Sequence, residues 1–263
     1  MPLTNKVALV TSSRQGICLD MAKRLAKAGA KVMICGRDGF QGRATADQIQ
    51  AEGGRASFIL TDTAVPVDVQ AAIDETIATY GRLDILLNSV SSDYPHDGAL
   101  ENVSETAWDR ITETSLKGTF LCCQYALPFL QKTGSGTIIN LVDQADSPPS
   151  NAVASICQGG VLAMTSAIAQ HSPTQNVTAN LVWSPHSPEQ IFGLLTEKVI
   201  CSPSDMELSN REPSDAQAVA GAPAASPEAD VFTDVAAAVM HLAIHGYQLN
   251  GYALIVSPLD NSG

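Results

Sequence analysis

The chain predicts a single doubly wound α/β domain built on a parallel sheet. Three observations predict it. Short β-branched runs alternate with amphipathic helices from the first residues onward, the strands are apolar throughout instead of alternating, and a glycine-bearing turn follows the first strand. A length of 263 residues suits one such domain, and 45% hydrophobic against 16% charged residues supplies a sizeable core.

Residues 6–11 (KVALVT) read as the first strand. Residues 16–30 follow as a helix, with Ile17, Met21, Leu25 and Ala26 at helical spacing before Gly29. A strand at 31–35, a helix at 44–52, a strand at 56–60, a helix at 67–80 and a strand at 83–88 continue the rhythm. One long helix over 104–132, a strand at 136–142, a helix at 152–170 and a strand at 177–182 extend it. A helix at 231–245 and a strand at 252–257 close a sheet of about seven strands with helices on both faces. The stretch 184–230 departs from this pattern. After a short helix over 191–199 it turns to Pro, Ser, Ala and acids, which reads as a mobile substrate lid or loop or, equally, as a disordered insertion.

Twenty-seven acidic against 15 basic residues give a net charge of −12, a field that repels nucleic acid and anionic membrane surfaces and leaves a small molecule as the expected partner. No basic leader precedes an apolar stretch and no run reaches the ~20 apolar residues of a membrane span, so a cytoplasmic protein is expected. Six cysteines, at 18, 35, 122, 123, 157 and 201, show no Cys-x-x-Cys pairing and no His at ligand spacing. Buried free thiols are expected and no metal site.

Between the first strand and its helix stands Thr11 to Cys18, TSSRQGIC, where a pyrophosphate is held against helix-terminal N–H groups in a Rossmann unit. Asp62 after the third strand, Asn88 in DILLNSVS, the WDRITETSLKGTF segment and GTIINLVDQ follow in order. Together these motifs resemble the short-chain dehydrogenase/reductase family over roughly residues 5–185, and weakly again at 229–257. The resemblance implies a Rossmann-like fold, an oxidoreductase, a nicotinamide dinucleotide and a homodimer or homotetramer formed through the helices at 104–132 and 152–170. It assigns Ser12, Arg14, Gly16, Ile17, Arg37, Asp62 and Asn88 to the cofactor. The outer glycines of the family's loop are Ser12 and Cys18 here. The second strand ends in Gly36 and Arg37 with no carboxylate for the ribose hydroxyls, and two guanidiniums, Arg14 and Arg37, suit a 2′-phosphate, so NADP(H) is expected over NAD(H).

Carried onto this chain, the family's catalytic Asn, Ser, Tyr and Lys fall on Ser115, Asp143, Ala154 and Gln158. Ala154 has no proton to give and Gln158 no charge to depress a phenol pKa, so alcohol–ketone interconversion by the family's route is not expected. Asp143 adds an ionisable group at a strand's carboxyl end and is the candidate acid, base or counter-ion. Further candidates are Asp146, the loop carrying Asp93, Tyr94 and His96, and His186. Three functions meet this pattern. The first is NADPH-dependent reduction of an imine or iminium, since an iminium is already charged and takes hydride to give a neutral amine with no proton donor. The second is a non-redox isomerase, lyase or cyclase of Diels–Alderase type, and the third a non-catalytic pseudoenzyme. A cofactor-free protein stays open at this point.

Overall fold

Backbone pairing follows the apolar runs. In the computed structural model, β1 (Val7–Ser12), β2 (Lys31–Gly36), β3 (Arg55–Leu60), β4 (Ile85–Val90), β5 (Gly136–Asp143), β6 (Val177–Ser184), β7 (Val199–Ile200) and β8 (Ala253–Ile255) form one parallel sheet, ordered β3-β2-β1-β4-β5-β6-β8-β7. The structure describes residues 1–12, 17–90, 100–143, 152–171, 176–184, 199–200, 235–245, 250–251 and 253–255. The helices are α1 (Ile17–Lys27), α2 (Gly39–Ala51), α3 (Pro66–Tyr80), α4 (Glu105–Ile111), α5 (Gly118–Lys132), α6 (Ala152–His171) and α7 (Val235–His245).

Successive strand residues point to opposite faces, and the core splits accordingly. Ala8, Val10, Val32 and Ile34 share a cluster with α1, α2 and α7. Leu9, Met33, Leu86 and Ile138 share the other with α3 and α5. Both faces are covered, which is why these strands are apolar at every position.

Four sequence expectations are corrected. Among the described residues the sheet has eight strands where about seven were expected, because the β-branched pair Val199 and Ile200 adds to the far side of β8, with Val199 opposite Ala253. Val199 is therefore strand and not the end of a helix; residues 185–198 and 201–230 of the expected lid lie outside the described residues. The helix expected over 44–52 begins at Gly39, capped by Asp38, whose carboxylate accepts from the N–H groups of Phe40 and Gln41 at 3.1 and 3.0 Å. Gly42 hides this extension from a propensity reading, yet a Cβ there would stand 2.1 Å from the Phe58 ring. The long helix over 104–132 is not uniform: Thr112–Lys117 is π-helical between α4 and α5. There the Thr112 hydroxyl donates to the Trp108 carbonyl at 2.8 Å and the Thr114 hydroxyl to that of Arg110 at 2.9 Å. Such back-bonding competes with the regular ladder.

The fourth concerns apolar length. Helix α6 has 20 residues with mean hydropathy 1.6, enough by length and composition to cross a membrane. It packs instead on β6 and the core, burying Val161, Thr165 and Ala169. Five cysteines are free and buried, and Cys201 lies outside the described residues. Burial pushes the thiols of Cys35 and Cys123 up to about 12, so they stay protonated and act as small apolar packing groups.

Candidate functional site

The strand order reverses between β1 and β4, and there the sheet opens. Pairing of β1 with β2 runs on to Ser12 opposite Gly36, and pairing of β4 with β5 runs to Val90 opposite Val142. Pairing of β1 with β4 ends at Val10 opposite Leu87. Beyond it the Thr11 hydroxyl takes the Ser89 N–H at 3.0 Å, so a side chain replaces the main-chain ladder. A crevice at such a switch point, at the carboxyl ends of the strands, is where an open α/β sheet receives a ligand. Ile17, the first residue of α1, lies just past β1 at this crevice.

The outer half of the crevice is set by β2 and β3. Arg37 follows β2, is exposed and forms no ion pair among the described residues. The nearest carboxylate in sequence, Asp38, is spent on capping α2. No acid is thus offered to a ribose from this turn, and the guanidinium stays available. Asp62 follows β3. Its N–H donates to Asp68 Oδ2 at 3.1 Å and its Oδ1 accepts from the Ala64 N–H at 3.0 Å, which fixes the turn into α3.

Toward the middle of the sheet a buried polar chain ties strands to helices. Asn88 Nδ2 donates to Asn140 Oδ1 at 2.9 Å and to Cys123 Sγ at 3.4 Å, while Asn140 Nδ2 donates to Thr165 Oγ1 at 2.8 Å. The Thr165 hydroxyl in turn donates to the Val161 carbonyl at 2.7 Å. Among the described residues, two buried polar side-chain atoms lack a partner, Asn88 Oδ1 and Trp183 Nε1. They belong to β4 and β6, the strands flanking β5, and both sit near the carboxyl edge. An orphaned buried group costs about 1–3 kcal/mol, so two at one edge mark the place where a ligand would repay the fold.

The four positions singled out as the altered tetrad converge only in part. Ser115 is buried in the π-helical segment, and Ala154 and Gln158 are buried on α6. The two elements close together at Gly160, where a Cβ would stand 2.9 Å from Leu116. A π-helical stretch at such a place is frequently functional. Asp143 is the last residue of β5, opposite Ser184, and Ser12 is the last of β1. Arg14, Gly16, Asp93, Tyr94, His96, Asp146 and His186 lie outside the described residues. Sequence reading missed Asn140, Thr165 and Trp183, although an Asn within the apolar run GTIINLV and a Trp one residue before the end of β6 were visible signals.

A switch point where the β1 and β4 ladder ends early, an Arg37 with no ion pair among the described residues and an orphaned Asn88 Oδ1 fit a dinucleotide. The short chain dehydrogenase family model matches residues 6–186. The chain belongs to this family. Members are oxidoreductases that typically use NAD(P)(H). It is 35% identical over 188 residues to the (2S)-[(R)-hydroxy(phenyl)methyl]succinyl-CoA dehydrogenase subunit BbsD of Thauera aromatica, covering 69% of this chain and 73% of that one. It is 30% identical over 260 residues to the L-fucose dehydrogenase of Bos taurus, covering 96% and 88%. In three dimensions it matches a dehydrogenase/reductase from Sinorhizobium meliloti 1021 with a TM-score of 0.71 at 24% identity, covering 97% and 94%, a likeness of fold.

Proposed function

We propose that the chain is an NADP(H)-dependent reductase of an imine, iminium or similarly activated small organic substrate, with Asp143 serving in place of the usual Ser, Tyr and Lys. The observation that carries this reading is the pair Ala154 and Gln158, 6% and 2% exposed on α6 where the family's Tyr and Lys would fall. Neither a methyl nor a carboxamide gives or takes a proton at neutral pH. A ketone would leave an alkoxide that must be protonated, whereas an iminium accepts hydride and becomes a neutral amine. The dinucleotide supplies that hydride when bound. Arg37 holds the 2′-phosphate with Arg14, Asp62 and Asn88 frame the crevice, and the Asp143 carboxylate balances the substrate's charge.

Asp143→Asn keeps shape and cannot balance a cation. Turnover of a cyclic iminium with NADPH is expected to fall by about two orders of magnitude with melting nearly unchanged. Retained turnover, or a steep loss of melting temperature, removes Asp143 from the chemistry.

A second reading, a non-redox isomerase, lyase or cyclase in the same crevice, is favoured by Cys18. Its side chain stands where the family's loop has its last glycine and is buried in the core cluster. It predicts turnover without any dinucleotide. In either case the protein acts as a homodimer or homotetramer through α4 to α6, where Trp108, Phe120 and Ile156 are 39%, 46% and 42% exposed. Light scattering is expected to show at least twice the mass of the 27.6 kDa chain, and a monomer refutes it.

A further inference from the structure

At the opposite end of β2 and β3 lies a cavity of about 510 Å³ that the crevice does not use. It is bounded by the last turn of α1, the Gly53 and Gly54 turn after α2 and the first residues of the two strands. Strands of six residues put it ~20 Å from the carboxyl edge. Its volume falls in the range of small-molecule sites.

Its charge is out of keeping with the rest of the molecule. The chain holds 15 Lys and Arg in a net charge of −12, yet Lys23, Lys27, Lys31 and Arg55 all line this one cavity. Among the described residues Glu52 is the one carboxylate in the lining, and its Oε1 accepts from Gln48 Nε2 at 3.0 Å. None of the four cations forms an ion pair among the described residues. Lys31 and Arg55 stand side by side in register on adjacent strands, an arrangement that costs stability through like-charge repulsion.

Helix ends account for part of this. Lys27 sits in the last turn of α1, where a cation offsets the negative end of the helix. The carboxyl ends of α1 and α2, about half a charge each, and Glu52 together balance roughly two of the four cations. Among the described residues, about two of these four positive charges remain without a counter-charge. The N–H groups of Gly29, Gly53 and Gly54 are already bonded to Ala26, Gln50 and Ile49, so recognition would fall to the side chains.

We propose that this cavity binds a phosphate-bearing small molecule, at a second site distinct from the crevice and independent of the cofactor reading. Ammonium groups on flexible stems gather around a compact multivalent anion, and the bound charge relieves the Lys31 and Arg55 repulsion.

Inorganic pyrophosphate is the probe. It is expected to raise the melting temperature of the full chain above that in sodium chloride of equal ionic strength, as a ligand of the folded state does. Lys31→Gln/Arg55→Gln, both at the surface end of strands, should melt no lower than the parent without ligand and bind pyrophosphate roughly tenfold more weakly. Lys23→Gln/Lys27→Gln should weaken binding likewise, and Arg37→Ala should leave it intact. The proposal is overturned by no rise over matched chloride, by an equal rise in both double variants, or by loss of the rise in Arg37→Ala, which would place the anion in the crevice.

Discussion

The two ends of the sheet are built to different standards. At the amino end of β4, Asp84 is 1% exposed and every oxygen is engaged: Oδ2 accepts from the Val7 N–H at 3.0 Å and Arg82 Nε at 2.8 Å, and Oδ1 from Lys6 Nζ at 3.2 Å and Arg82 Nη2 at 2.6 Å. Its carbonyl receives the Thr137 N–H at 2.8 Å, so one residue joins β1, β4 and β5. At the carboxyl end the ladder between β1 and β4 stops early, and Asn88 Oδ1 and Trp183 Nε1 are left without partners among the described residues. Leu60, ending β3, is 61% exposed. At the middle of the sheet, then, the amino edge is the anchored one, and unmet hydrogen-bonding capacity is kept at the carboxyl edge, where open α/β sheets receive a ligand.

The comparison can be broken first at Asp84. Asp84→Ala strips a buried N–H of its acceptor and leaves two cations facing each other. The Lys6 and Arg82 side chains are 32% and 44% exposed and can turn to water, so the cost falls below that of a fully buried pair, at about 2–4 kcal/mol. Urea denaturation measures it, and a loss under 1 kcal/mol would show that the amino edge is not the anchor.

A smaller effect of opposite sign is expected at the other edge. Trp183→Phe keeps the aromatic packing against Val142, Val161 and Leu181 and deletes the orphaned N–H. Unliganded protein should become more stable by about 1 kcal/mol, the lower end of what an unpaired buried donor costs. If the same denaturation shows a loss, the indole has a partner and the carboxyl edge is as satisfied as the amino edge.

Much of this was legible in the sequence and some could not be. Runs such as VALVT, KVMIC and GTIINLV announce buried parallel strands because burial on both faces demands unbroken apolar character. The exposed position of Arg37 after β2 was legible because it depends only on where a strand ends, while residues 13–16 of the turn after β1 lie outside the described residues. The π-helical stretch was not, because it arises from the Thr112 and Thr114 hydroxyls competing with their own backbone, an outcome that helical periodicity does not encode. The start of α2 was hidden by two glycines, one of them required by the Phe58 ring. The early end of the β1 and β4 ladder is a matter of register between distant segments. The bridge from Asn88 Nδ2 to Asn140 was not legible either, because it joins residues 52 apart in sequence.

The cofactor proposed for the crevice between β1 and β4 is NADP(H), with Arg37 on the 2′-phosphate. Isothermal titration of the parent chain and Arg37→Ala with NADPH and NADH tests it most directly. NADPH should bind the parent at least about tenfold more tightly than NADH, and Arg37→Ala should weaken NADPH by roughly 1.5–3 kcal/mol while leaving NADH unchanged. Equal affinity for the two, or binding of neither, would contradict the claim.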